Sequence, residues 1–278
     1  IATIIAFPQA LAFGVASGVG ASSGIWGAII LSLIAGILGC NLPMVSGPTG
    51  PTAIIIATVV AACSGDISSV VTVLVMAAIF QMIISLTSIP KMIKYVPYPV
   101  ISGFMNGIGV IIILMQLNPL IGCPVMSNTI NSIGAFFHNL HNINTDALLI
   151  GGLTLAIVFA VPKRFNKIIP SQAIALVICT FISIKMGLNV DRISEISLNM
   201  PALTLPKTGL HEIITYFHYA VTLAIVLSAE SLLTVLVADS LIKTKTSSRS
   251  MLLGQGLGNL VCALSGALPG SAATMRTV

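Results

Sequence analysis

Polar residues in this chain fall in short bursts, and long apolar runs separate them without the alternation of a half-buried strand. The runs cover 1–17, 25–41, 51–62, 68–89, 99–117, 147–161, 168–187, 211–242 and 251–268, and a tenth begins near Ser271. About 20 apolar residues span a bilayer as a helix. An outer-membrane barrel would instead show period two. The pattern therefore predicts an all-α, multi-pass bundle. Two runs are irregular in length: 51–62 is too short to cross, and 211–242 is long enough to tilt or overhang.

Composition agrees with this reading. The chain is 56% apolar and 7% charged, with a mean hydropathy of +1.07. A soluble domain carries roughly 25% charged residues. The net charge of +5 does not mark a nucleic-acid face, because the basic residues cluster at run ends. Lys91, Lys94, Lys163, Arg164, Lys167, Lys243, Lys245 and Arg249 fall on one side if the third run re-enters, against Lys185, Arg192 and Lys207 on the other. The eight-residue side is expected to be cytoplasmic. The connection 118–146 is then an outer-side loop, and it holds no Lys or Arg. The chain starts inside one apolar run and stops as another opens, so it reads as part of a longer protein.

Enzyme chemistry finds no foothold. There is no GxSxG or HExxH, and the five cysteines stand singly, without metal-ligand spacing. His138 and His141 lie three apart without a third ligand and read as solvated. No cofactor or metal is expected.

Helix-breaking chemistry occurs twice where membrane depth is expected: Ser46-Gly47-Pro48-Thr49-Gly50-Pro51-Thr52 and Leu268-Pro269-Gly270-Ser271-Ala272-Ala273-Thr274-Met275-Arg276. Irregular backbone at that depth is tolerated only where protein buries it or it lines a cavity. Two such breaks in corresponding places point to a transporter's central site. Helix N-termini aimed there would favour an anion, with Thr49, Ser271 and Thr274 adding hydroxyls. Arg276 is the only basic residue outside the loop clusters; it reads as touching the substrate, as pairing with Glu230, which is compatible with that, or as snorkelling to an interface. Glu230 itself lies inside the run 218–242, where an unpaired carboxylate costs several kcal/mol.

The strings FPQALAFGVASGVG (7–20), SGPTGPTA (46–53), PYPVISGFMNGIG (97–109), ESLLTVLVADS (230–240) and GQGLGNLVCALSGALPGSAATMRT (254–277) occur in the order of the SulP/SLC26 family of inorganic anion transporters, which the chain resembles. The resemblance implies a fold of two inverted seven-segment repeats (SulP/UraA-like), here reaching only the start of segment 10. It implies core segments at 1–90 and 211–278, gate segments at 97–188, and no STAS domain within the chain. It also implies a homodimer embedded in the lipid bilayer, in the inner membrane for a bacterial protein. Carried over by position, Gln9, Phe13, Thr49, Ala273, Thr274 and Arg276 would line the anion pocket. Glu230 and Thr234 would hold the coupling ion. For Gln9 and Phe13, helix packing is an equal reading of the residues. The arginine favours sulfate or a related oxyanion with proton coupling. Sodium-coupled bicarbonate symport is the close second, since a fixed positive charge would repel sodium. An anion exchanger or channel and a nucleobase permease are further alternatives.

Overall fold

In a computed structural model, the described residues are 2–39, 44–92, 95, 97–124, 126, 129–162, 171–190, 203–206, 209–243 and 246–277. Lys94, Lys163, Arg164, Lys167, Arg192, Lys207, Lys245 and Cys40 lie outside them. The helices follow the apolar runs: α1 (Ala2–Ala16), α2 (Ala21–Leu38), α3 (Gly50–Ala62), α4 (Ile67–Leu86) and the short α5 (Ile89–Met92). Then come α6 (Tyr98–Leu120), α7 (Thr129–His138), α8 (Thr145–Ala160), α9 (Ser171–Met186), α10 (Leu210–Ile242), α11 (Ser248–Leu264) and α12 (Thr274–Thr277). Among the described residues, Ala21–Leu38, Ile67–Leu86 and Glu212–Ile242 are long and apolar enough to cross a membrane by themselves. The chain is an integral membrane protein.

Three features go beyond the sequence pattern. The two breaks are not plain loops: β1 (Ser46–Gly47) pairs antiparallel with β2 (Ser271–Ala272), Ser46 opposite Ala272 and Gly47 opposite Ser271. The ninth run ends as a helix at Leu264, and 265–270 continue in non-helical backbone. The supposed loop 118–146 contains α7, followed by a 3-10 turn at Asn139–His141. Ile130, Ile133, Phe136 and Phe137 recur at helical spacing there, but the Asn and Ser residues around them hide the period.

The chain divides into two compact units. One comprises Ile1–Pro8 and Asn106–Glu195, and the other Gln9–Met105 and Ile196–Val278. In the first, α8 packs on α9. In the second, α4 packs against α10 and α11, and α11 also packs on α2. Its core joins Ile56 and Val59 of α3, Val73 of α4, Leu223 and Leu227 of α10, and Leu268.

Lipid tails are as apolar as these side chains, so close backbone approach and polar contacts hold such a bundle together. Gly24 of α2 shows this directly: a Cβ there would run into the Ala10 carbonyl of α1. The N–H of Leu268 donates to the Ser23 carbonyl at 2.9 Å, which ties the second break to α2.

Candidate functional site

The site forms where the two breaks cross. Antiparallel pairing sends α3 and α12 away from opposite ends of the strand pair, as a two-fold inverted arrangement requires. Close backbone approach sets the crossing, since a Cβ at Gly270 would overlap the Gly47 carbonyl and Pro48 nitrogen. Proline helps shape both breaks: Pro51 sits in the first turn of α3, where its missing N–H is no loss. Thr49 caps that helix, and its N–H donates to Thr52 Oγ1 at 3.2 Å.

Glu230 of α10 reaches the crossing and is 7% exposed. Its Oε2 accepts from Thr49 Oγ1 at 2.8 Å and from Ser271 Oγ at 2.5 Å. One carboxylate oxygen thus joins the first break to the second. Hydroxyl donors to an ionised acceptor make strong hydrogen bonds, which offset part of the cost of holding the group away from water.

One turn along α10, Thr234 Oγ1 lies 2.9 Å from the Glu230 carbonyl oxygen, 3.0 Å from that of Ala272 and 2.7 Å from Thr274 Oγ1. A single hydroxyl proton cannot serve three acceptors at once. The result is a small nest of oxygen atoms against the Glu230 backbone.

The remaining residues expected from sequence fall as follows. Arg276 is half-buried; its Nη2 donates to the Pro48 carbonyl at 2.9 Å. The guanidinium also lies against Gly47, where a Cβ would approach Nη1 to 3.4 Å. The arginine therefore braces the first break, while the Glu230 hydrogen bonds go to hydroxyls. The Ala273 N–H donates to the Val45 carbonyl at 2.9 Å, extending the strand pairing by one rung. An anion contact at that N–H requires this bond to open. Gln9 and Phe13 are both half-buried, and Phe13 packs against the core formed by α3, α4 and α10.

Sequence reasoning missed the residues that hold the crossing in place. Gln255 and Asn259 lie one turn apart on α11, both fully buried. Gln255 accepts from Ser231 and donates to Ser46 Oγ at 3.1 Å. The Asn259 amide grips Gly270 in both directions: Nδ2 donates to its carbonyl and Oδ1 accepts from its N–H, each at 2.9 Å. Nδ2 also donates to Gln81 Oε1 of α4 at 2.8 Å. On the far side, Ser32 of α2 donates to the Ser46 carbonyl at 2.6 Å. The signal was present as two amides at i, i+4 in an otherwise small and apolar run, with a third amide, Gln81, inside another.

Comparison with known proteins gives the family and the fold. The sulfate permease family model matches residues 1–278. The chain is 37% identical to the bicarbonate transporter BicA of a Picosynechococcus species over 292 residues, covering 100% of this chain and 51% of the relative. It is 39% identical to BicA of a Synechocystis species, covering 100% and 50%. A putative sulfate transporter of Bacillus subtilis is 28% identical, covering 99% and 53%. The chain thus spans about half the length of the curated relatives it matches. The solved transmembrane domain of a cyanobacterial BicA superposes with a TM-score of 0.90 at 38% identity, covering 99% of this chain and 72% of that one. The murine solute carrier 26 member A9 shares the fold, with a TM-score of 0.84 at 19% identity over 99% and 51% of the two chains. This chain belongs to the sulfate permease family.

Proposed function

We propose that the whole protein is a secondary active transporter of an inorganic anion, and that the anion is bicarbonate carried with sodium. The observation that carries the reading is the oxygen nest beside Glu230. Hydroxyl and carbonyl oxygens suit a small hard cation, and the Thr234 hydroxyl lies within 3.0 Å of the backbone carbonyls of Glu230 and Ala272 and of the Thr274 hydroxyl. The names of the relatives at 37–39% identity, both bicarbonate transporters, support the same substrate.

In this reading the anion sits at the start of α3 and α12. Thr49 and Thr274 face it, Gln9 and Phe13 line its entrance, and the Ala273 N–H exchanges its bond to Val45 for the anion. Cation and anion neutralise one another at the crossing, so each is bound more tightly with its partner present. The second compact unit acts as the core and the first as the gate. The protein works as a homodimer in the cell membrane, the inner one in a bacterium.

Proton-coupled sulfate transport is the second reading, and Arg276 favours it. A fixed positive charge gains more from a divalent anion and opposes a nearby sodium ion. Against this, the guanidinium is already hydrogen-bonded to the Pro48 carbonyl.

The test is uptake of labelled bicarbonate and sulfate by the full-length protein in liposomes under separate sodium and proton gradients. Sodium-driven bicarbonate accumulation is expected. Proton-driven sulfate accumulation would replace the first reading with the second. Uptake of neither anion under either gradient would overturn both.

A further inference from the structure

The helix α7 lies outside the site and is absent from the hydrophobic pattern of spanning runs. Its depth can be read from its hydrogen bonds. Asn118 Nδ2 of α6 donates to the Ser132 carbonyl and to Ser132 Oγ, each at 2.8 Å, and Ser132 Oγ donates to the Leu114 carbonyl at 3.1 Å. Asn118 and Ser132 are both fully buried. The helix α6 has 23 residues, about 34 Å, and Leu114 lies about 9 Å before its end at a rise of 1.5 Å per residue. Thus α7 runs alongside the last two turns of α6 and does not float above them. With 10 residues it is about 15 Å long, half the hydrocarbon thickness of about 30 Å, so it does not cross.

Its outward face is apolar. Ile130 is 78% exposed and Phe137 66% exposed. With Gly134 between them they follow the i, i+4, i+7 spacing of one helix face. Asn131 and His138, one position on, form an exposed polar edge. Phe136 stacks edge-on against Phe137, their ring centroids 5.7 Å apart, which stiffens the aromatic end. Leu140, in the turn that follows, is exposed as well.

We propose that α7 is an interfacial helix whose Ile130–Phe137 face inserts into the outer-leaflet boundary between acyl chains and headgroups. The occupant is lipid rather than protein for two reasons. The helix is held alongside the last two turns of α6, whose apolar run the sequence pattern assigns to the bilayer, where lipid is the surrounding medium. In addition, a narrow apolar stripe beside a polar edge is the shape of an in-plane helix. The connection 118–146 has no Lys or Arg, so the fit is to a neutral, zwitterionic surface. The two hydrogen bonds from Asn118 make α7 an outrigger of α6, keeping the end of that helix at a fixed height in the leaflet. This inference rests on the chain being membrane-embedded and, for the choice of leaflet, on the orientation expected from the basic residues, and not on which ion it carries.

The test places tryptophan at Phe137 or, separately, at Ile130 in the full-length protein, in phosphatidylcholine vesicles. Emission is read as the difference from the same protein without the added tryptophan. Phosphatidylcholine brominated near the top of the acyl chain is expected to quench both positions several-fold more than aqueous iodide does. Quenching by iodide in place of bromolipid would overturn the proposal by putting the stripe in water. Quenching by neither would overturn it by putting protein over the stripe. Both positions are exposed, so each variant is expected to fold, and the two give independent readings.

Discussion

Replacing Asn259 by leucine tests what holds the strand crossing together. Leucine has as many side-chain heavy atoms as asparagine, branched at the same carbon, and suits a helix. The change therefore removes hydrogen bonds more than it alters packing. Three bonds go: both to Gly270 and the one to Gln81 Oε1. If each had the average strength of a polar contact between membrane helices, about 0.6 kcal/mol, the loss would be about 2 kcal/mol. That average applies to groups that find other partners. The Gly270 N–H and carbonyl sit in non-helical backbone buried at membrane depth, and each orphaned group costs about 1–3 kcal/mol. The two together give about 2–6 kcal/mol, before Gln81 is counted. The effect should be measured on the full-length protein by equilibrium unfolding in mixed micelles, alongside the KM for anion uptake. We expect stability to fall by at least about 2 kcal/mol and KM to rise, because β2 leads directly into Thr274. A leucine variant within about 1 kcal/mol of wild type, the ordinary range for a single substitution, with unchanged KM, would refute the view that Asn259 sets the crossing.

Other substitutions probe separate links. Glu230→Gln keeps an oxygen that accepts from Thr49 and Ser271 but removes the charge. Protein should stay folded while cation-driven accumulation drops to that of empty liposomes, and normal accumulation would exclude Glu230 from coupling. Arg276→Ala should penalise sulfate more than a monovalent anion. An extra unit of charge at roughly 8 Å is worth about 2 kcal/mol at an effective dielectric of about 20, so competition for uptake should shift about 30-fold. Equal loss for both anions would make the arginine a brace for Pro48 alone. Gly24→Ala forces a Cβ into the Ala10 carbonyl and should destabilise by about 1–3 kcal/mol; a wild-type unfolding midpoint would mean that α1 and α2 separate easily.

Much of the spanning architecture was legible because helix length and apolarity are dictated by the bilayer. The run 51–62 became α3 at Gly50–Ala62, and 211–242 became α10 at Leu210–Ile242. The breaks were legible from their proline and glycine, and Glu230 from its cost. Pairing of Ser46–Gly47 with Ser271–Ala272 was not, because two residues are too short for any strand period to show. The clamp of Gln81, Gln255 and Asn259 was also hidden: an amide in an apolar helix signals a partner without naming it. The helix α7 was obscured because polar asparagine and serine flank a stripe too short to read as a span. The Ala273 N–H illustrates a further limit, since its bond to the Val45 carbonyl depends on a segment far away in the chain.

That distance bears on how the protein is made. Thr49 and Ser271, which meet at Glu230, are 222 residues apart. At about 5–20 residues per second, the ribosome takes roughly 10–45 s to deliver the second after the first. Throughout that interval the first break lacks its strand partner, and for the first 181 residues of it the carboxylate as well; α3, at 13 residues and about 20 Å, is too short to be stable as a span by itself. Biogenesis must shelter it, at the translocation machinery or against α2 and α4, until the second break arrives. Errors in assembly are then expected to concentrate at this closing step, and variants that weaken it should lower the yield of inserted protein before they lower the activity of each molecule.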